Sequence, residues 1–196
     1  MNNKVQNVLL GVLAIGLIGI TVAYAALTQQ LKIEGTAKVA SSKWDVHFGT
    51  VSAGNAQGYA TAGTLAKTGE TTIAGDIGTL KAPGDSITYT FDIENAGDIN
   101  AIIDTVTGGQ SFTCTSATKS VADAVCKDLT YSIKYTDENA TIAKGDKLAK
   151  ATNSSTPTKK NVTLTLTYKS TATTVASEDV TVTADPMTIT YVQDAK

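Results

Sequence analysis

The chain has 196 residues, 16 basic against 18 acidic, for a formal charge of −2; every basic residue is a lysine, beside one histidine and two cysteines. That length supports one domain with a proper core, while an acidic chain without arginine lacks the bidentate donors of nucleic-acid readout, so no nucleic-acid partner is expected. One histidine and two cysteines cannot build an ordinary four-ligand zinc site without carboxylates, and no metal or cofactor is expected.

The first element reads as an export signal. Met1 to Asn7 is polar and carries Lys4, and Val8 to Val22 is then almost wholly apolar, with Gly11, Gly16 and Gly19 inside it and no charge. Ala23-Tyr24-Ala25 follows as a small-x-small site. Cleavage between Ala25 and Ala26 is expected, which makes 1–25 a signal peptide. The apolar run is shorter than the roughly 20 residues that span a bilayer comfortably. Extension through Ala26 and Leu27 would give a marginal anchor, and an uncleaved signal segment is the one membrane contact the sequence suggests. A type IV prepilin signal fits poorly, because it is cut before its apolar run and needs a glutamate that Val8 to Val22 lacks.

The rest alternates with the period of strands. Trp44, Val46 and Phe48 share a face opposite Asp45 and His47. Ile87, Tyr89, Phe91 and Ile93 alternate with Ser86, Thr88, Thr90, Asp92 and Glu94. Leu129, Tyr131, Ile133 and Tyr135 form a third run, and Val162, Leu164, Leu166 and Tyr168 a fourth. Val180 and Val182, then Met187, Ile189 and Tyr191, close the series. One apolar and one threonine-rich face is the pattern of half-buried antiparallel sheets. Pro83-Gly84-Asp85 precedes the second run. Asn95-Ala96-Gly97-Asp98 separates it from Ile99 to Val106, which reads as the returning strand of a hairpin. Lys144-Gly145-Asp146 and Asp185-Pro186 punctuate later.

The expected fold is therefore all-β, an antiparallel β-sandwich of jelly-roll or immunoglobulin-like type behind an apolar signal helix. No amphipathic helix is expected beyond one turn at Ser120 to Cys126. Gly49 to Gly69 shows little alternation and is either a surface loop or hides a strand; Ala149 to Lys160 reads as an exposed loop.

Two cysteines in an exported chain most simply pair, and Cys114 and Cys126 would close a loop of about 13 residues worth roughly 3 kcal/mol in the chain-entropy model. The spacing is not that of a Cys-x-x-Cys redox pair. His47 falls on the polar face beside Asp45, as an exposed strand histidine. A zinc peptidase would need a histidine pair, and a serine triad would have to use His47 without a Gly-x-Ser-x-Gly elbow. Asp92 and Glu94 read as a solvated strand face. No catalytic residue is assigned and no enzyme is expected. Three glycosylation-type triplets begin at Asn139, Asn153 and Asn161, at a frequency that chance explains in so threonine-rich a chain. Lysine–asparagine isopeptide crosslinking has no pair selected for it.

Three stretches carry a resemblance: Ala25-Ala26-Leu27-Thr28-Gln29-Gln30-Leu31-Lys32-Ile33-Glu34-Gly35-Thr36-Ala37 beside the expected cut, Trp44-Asp45-Val46-His47-Phe48, and Ala82-Pro83-Gly84-Asp85 leading into Ser86 to Asn95. Together they resemble the TasA/camelysin-like exported proteins of Gram-positive bacteria, which a SipW-type signal peptidase processes. The resemblance implies a jelly-roll subunit that polymerises with identical copies, and with minor proteins of a mixed fibre, into extracellular fibres of the biofilm matrix or cell surface. It also implies that the N-terminal segment of one subunit completes a sheet of the next. Some members carry a metallopeptidase label, which this chain's single histidine does not support.

The residues allow such donation. After the cut, 26–35 is an arm and 36–196 the sandwich domain. Leu27, Gln29, Leu31 and Ile33 share one face of the arm, eight extended residues reach roughly 26 Å, and Gly35 offers a hinge. The same run could instead be the first strand of its own sandwich. A monomeric surface adhesin or ligand-binding module, with its specificity in Gly49 to Gly69 and the Cys114–Cys126 loop, is the alternative function; an exported hydrolase is a third. No Leu-Pro-x-Thr-Gly sorting sequence appears, so sortase attachment is not expected.

Overall fold

The computed structural model describes residues 2–27, 34–153 and 155–194. They fall into two units, Met1–Ala40 and Ser41–Lys196. The first consists of helix α1, Asn3–Leu27, and an exposed stretch from Glu34 that has no secondary structure. Among the described side chains of α1, Val8, Leu9, Val12, Leu13 and Ile15 are each more than half exposed.

The second unit is all-β apart from one short helix. In chain order its strands are β1 Val46–Val51, β2 Asn55–Gln57, β3 Thr61–Ala62, β4 Ala66–Gly69, β5 Thr72–Ala74, β6 Gly78–Thr79, β7 Ser86–Asn95, β8 Ala101–Thr107 and β9 Phe112–Thr115. Helix α2, Lys119–Cys126, comes next. Strands β10 Leu129–Tyr135, β11 Lys147–Leu148, β12 Thr158–Tyr168, β13 Thr181–Ala184 and β14 Thr188–Gln193 complete the chain. Every ladder is antiparallel.

The first layer is a five-stranded sheet ordered β1-β7-β12-β10, with β2 following β1 along the same edge of β7. Its central pair runs in unbroken register from Thr158↔Asn95 to Thr167↔Ser86. The alternation read from the sequence is the reason: Ile87, Tyr89, Phe91 and Ile93 face Val162, Leu164 and Leu166 on one side, and all are buried. Threonines and the Asp92–Glu94 pair occupy the other side. Phe48 of β1 meets Phe91 edge to face, ring centres 5.7 Å apart, a geometry that favours the aromatic quadrupoles.

The second layer is β11-β8-β14. Ala101, Ile103 and Leu148 from it join the first layer's apolar face in one core cluster. Past β8 and before β14 the same two chain segments continue as the β9–β13 pair, with Gly108 and Gly109 on one side, both at positive φ, and Asp185-Pro186 on the other. A Cβ at Gly108 would stand 2.0 Å from the Pro186 carbonyl oxygen, so only glycine fits this bend.

Three expectations are corrected here. Ile99 to Val106 is not the return strand of a hairpin with β7. Both edges of β7 are already taken by β1 and β12, so the chain crosses to the other layer. Buried Asn95 makes the crossing: its Nδ2 donates to the Ile99 carbonyl at 2.9 Å and its Oδ1 accepts from Gly97 N at 3.0 Å. A genuine helix of eight residues stands where one turn was expected, because Ala122 and Val125 are spaced to bury one face. Trp44 is 44% exposed rather than sharing the face of Phe48, since β1 starts two residues later. The stretch Gly49 to Gly69 does hide strands, β2, β3 and β4, too short for alternation to announce them.

Candidate interaction groove

The second layer leaves part of the first uncovered. Strand β13 pairs with β9 alone and β14 with β8 alone among the described residues. Beyond their free edge lies a groove, and its far wall is the segment 71–81, with β5 and β6. Its floor is first-layer apolar surface: Leu129, Tyr131 and Ile133 of β10 with Leu164 and Leu166 of β12. Two lobes of about 950 and 540 Å³ meet at Gly75, Ile77, Tyr131 and Ala184. The near wall from Val180 to Ile189 is ten residues, about 30 Å of extended chain. At the junction, burial first and the Asp185 charge second push the Tyr131 hydroxyl up to about 12.

Each wall has a carboxylate holding it. Asp85 is 1% exposed; its Oδ2 accepts from Lys81 N at 2.7 Å and Ala82 N at 2.9 Å, its Oδ1 from Tyr59 N at 2.8 Å. Burial alone would raise this carboxyl, but the three N–H groups, with the Lys81 charge, outweigh it and hold it below its ordinary value. The far wall is thereby tied to the start of β7. Gly58, at φ 73, passes so close that a Cβ would lie 2.3 Å from Asp85 Oδ1. On the near wall Glu178 Oε1 accepts from Thr118 N at 2.7 Å, capping α2 from another part of the chain.

The cysteines are joined: Cys114 on β9 to Cys126 at the end of α2, Cα atoms 5.9 Å apart. Of the expected cleavage residues, Ala23, Ala25 and Ala26 have helical backbone inside α1, which ends at Leu27. The arm positions Gln29, Leu31 and Ile33 lie outside the described residues. Gly35 is exposed, with nothing within 4 Å of where a Cβ would stand. The alternation of the arm runs on past it through Ala37 to Val39, which is 95% exposed.

His47 is half-buried rather than exposed. Its Nδ1 lies 2.8 Å from Asp45 Oδ1 and its Nε2 3.6 Å from Glu94 Oε2, while Glu94 Oε1 accepts from Lys159 Nζ at 2.7 Å. Lys43's hydrogen bond, more than His47's, overcomes burial and holds Asp45 below its ordinary value. This is a ladder of paired charges that ties β1 to β7 and β12. Asn161 donates to Asp92 Oδ1 at 2.9 Å, so that triplet asparagine is engaged in the sheet.

The near wall was read from the sequence as strands, which β13 and β14 are, but the far wall and the groove between them escaped it. The one available signal was Pro83-Gly84-Asp85, a turn whose acid stands one residue before a strand, where a carboxylate can collect free backbone donors. Comparison with known proteins finds no matching family model, no matching curated protein and no matching solved structure.

Proposed function

We propose that the chain is an exported structural subunit, processed at Ala25–Ala26, which polymerises into extracellular fibres by donating its arm to the groove of a second copy. The observation that carries this reading is the uncovered strip of first-layer apolar surface beside the free edge of β13 and β14. An extended segment laid there would gain ladder hydrogen bonds from the edge and pockets from the floor. The arm matches in length and in its period-two pattern, Leu27, Gln29, Leu31 and Ile33. The exposed run from Gly35 to Val39 extends the available strand, with the second unit beginning at Ser41. The exposed apolar side chains from Val8 to Ile15 of α1 suit a segment read by a signal peptidase, although no helix among the described residues is long and apolar enough to cross a membrane. The jelly-roll type, the biofilm or cell-surface location and a mixed fibre with minor subunits belong to the same reading.

Deletion of Ala26 to Ile33 from the processed chain is expected to leave a folded monomer by circular dichroism and to abolish filaments in the electron microscope. Filaments from the deletion variant would refute strand donation. A stable monomer from the intact processed chain that captures glycans would instead favour the adhesin reading.

A further inference from the structure

The larger groove lobe depends on a part of the molecule with its own small core. Val125, Leu129 and Tyr168 are buried together with Val121, Val180 and Val182 against them, and none of these six belongs to the main cluster. Strand β13 is held by a single ladder of four residue pairs, in which Val182 lies opposite Cys114. Cys114 is bonded to Cys126 at the tail of α2, while Glu178, just before β13, grips Thr118 at its head. The near wall is therefore clamped to both ends of one helix. That helix is eight residues long, has no acid in its first turn, and takes no cap from the Thr118 side chain. A helix so short does not hold itself in water.

Resting on the fibre reading, we propose that the Cys114–Cys126 disulfide is the device that makes the groove competent to accept a strand. In the dithiol chain, α2 loses its tether, Glu178 loses a fixed partner, and the wall at 176–184 opens as a local unit while the main core stays folded. Oxidation takes two protons and two electrons from the two thiols; an exchangeable disulfide of the oxidising compartment accepts them, its S–S bond breaking to two thiols as the new one forms. A chain still inside a reducing compartment keeps its thiols, so acceptor and donor meet in working order only after export. Both cysteines are half-buried, within reach of such a reagent.

The test uses the full chain and a fluorescent synthetic peptide of residues 26–40. Peptide binding by anisotropy and amide hydrogen exchange are recorded for the oxidised chain, for the same sample reduced by a dithiol, and after reoxidation. The expected result is binding to the oxidised form, at least tenfold weaker binding after reduction, and recovery on reoxidation. Exchange at 176–184 should accelerate at least tenfold on reduction while β7 and β12 stay protected. Equal binding by both forms overturns the switch and leaves the fibre reading standing. Loss of protection in β7 and β12 on reduction also overturns it, since the bond would then be a global staple. No binding to the oxidised form refutes the acceptor groove, and the switch falls with it.

Discussion

The two halves of the second layer solve one problem in different ways. Around β8, both edges are paired, by β11 and β14, and Ala101, Ile103 and Leu148 close over the first layer at 1% exposure or less. Around β13 one edge is unpaired, and the chain is fixed by a disulfide, a carboxylate cap and a bend that admits only glycine. Where ladders are complete, packing alone positions the backbone. Where a strand's place is left open, covalent and charged clamps replace the missing neighbour, and they hold the opening in shape.

The largest expected contrast is between core residues of the two halves. Ile103 of β8 is buried in the closed half, so Ile103→Ala is expected to cost about 2–5 kcal/mol in urea unfolding, from lost transfer energy and the cavity left behind. Val182 is half-buried beside the groove, and Val182→Ala is expected to cost about 1 kcal/mol. Equal costs would mean that the groove side is packed as a true core and erase the distinction.

Across the groove from β13, Asp85 fixes the far wall to the start of β7. Asp85→Ala would leave the N–H groups of Tyr59, Lys81 and Ala82 without their acceptor, at an expected cost of about 3 kcal/mol. Asp85→Asn, which keeps one acceptor oxygen, should fall between. The folded carboxyl sits below its unfolded value, so its contribution is present in full above the unfolded pKa, about 3.9, and is lost as pH falls through the lower folded value. The stability gap between wild type and Asp85→Ala should hold constant near neutrality and narrow below about pH 4. A gap that does not change with acid would mean that the charge contributes nothing and shape alone holds the wall.

The same contrast decides what the sequence could reveal. Strands β7, β10 and β12 were legible because each buries one face, which writes period two into the residues. The disulfide was legible from the cysteine count and the expected export signal. Strands β2 to β6 have two to four residues each, too few to carry a period. The β7–β8 hairpin was misread because Asn95-Ala96-Gly97-Asp98 has turn composition whether the chain returns or crosses; the occupation of both edges of β7 by strands distant in sequence made the choice. Glu178 and Asp85 act on backbone groups, and backbone donors leave no mark on the residue types that carry them.

The smallest effect lies on the outer face, where the charge ladder should prove peripheral to both halves. Lys159 Nζ sits 2.7 Å from Glu94 and 3.2 Å from Asp92, with its side chain half exposed. Those two hydrogen bonds, Glu94's first, raise its pKa, so its contribution is present below the unfolded value and is lost as pH rises through the higher folded one. Because water and salt screen exposed pairs, Lys159→Ala is expected to cost less than about 1 kcal/mol. The cost should shrink further as salt shortens the Debye length below the ~8 Å of physiological buffer. Denaturant midpoints at low and high salt measure both. Val162, the next inward-facing position on β12 after Lys160, is fully buried, so one strand carries both regimes within three residues. A salt-insensitive loss as large as that of Ile103→Ala would place Lys159 in a desolvated contact. It would then be the outer face, rather than the groove, that marks where a second copy docks.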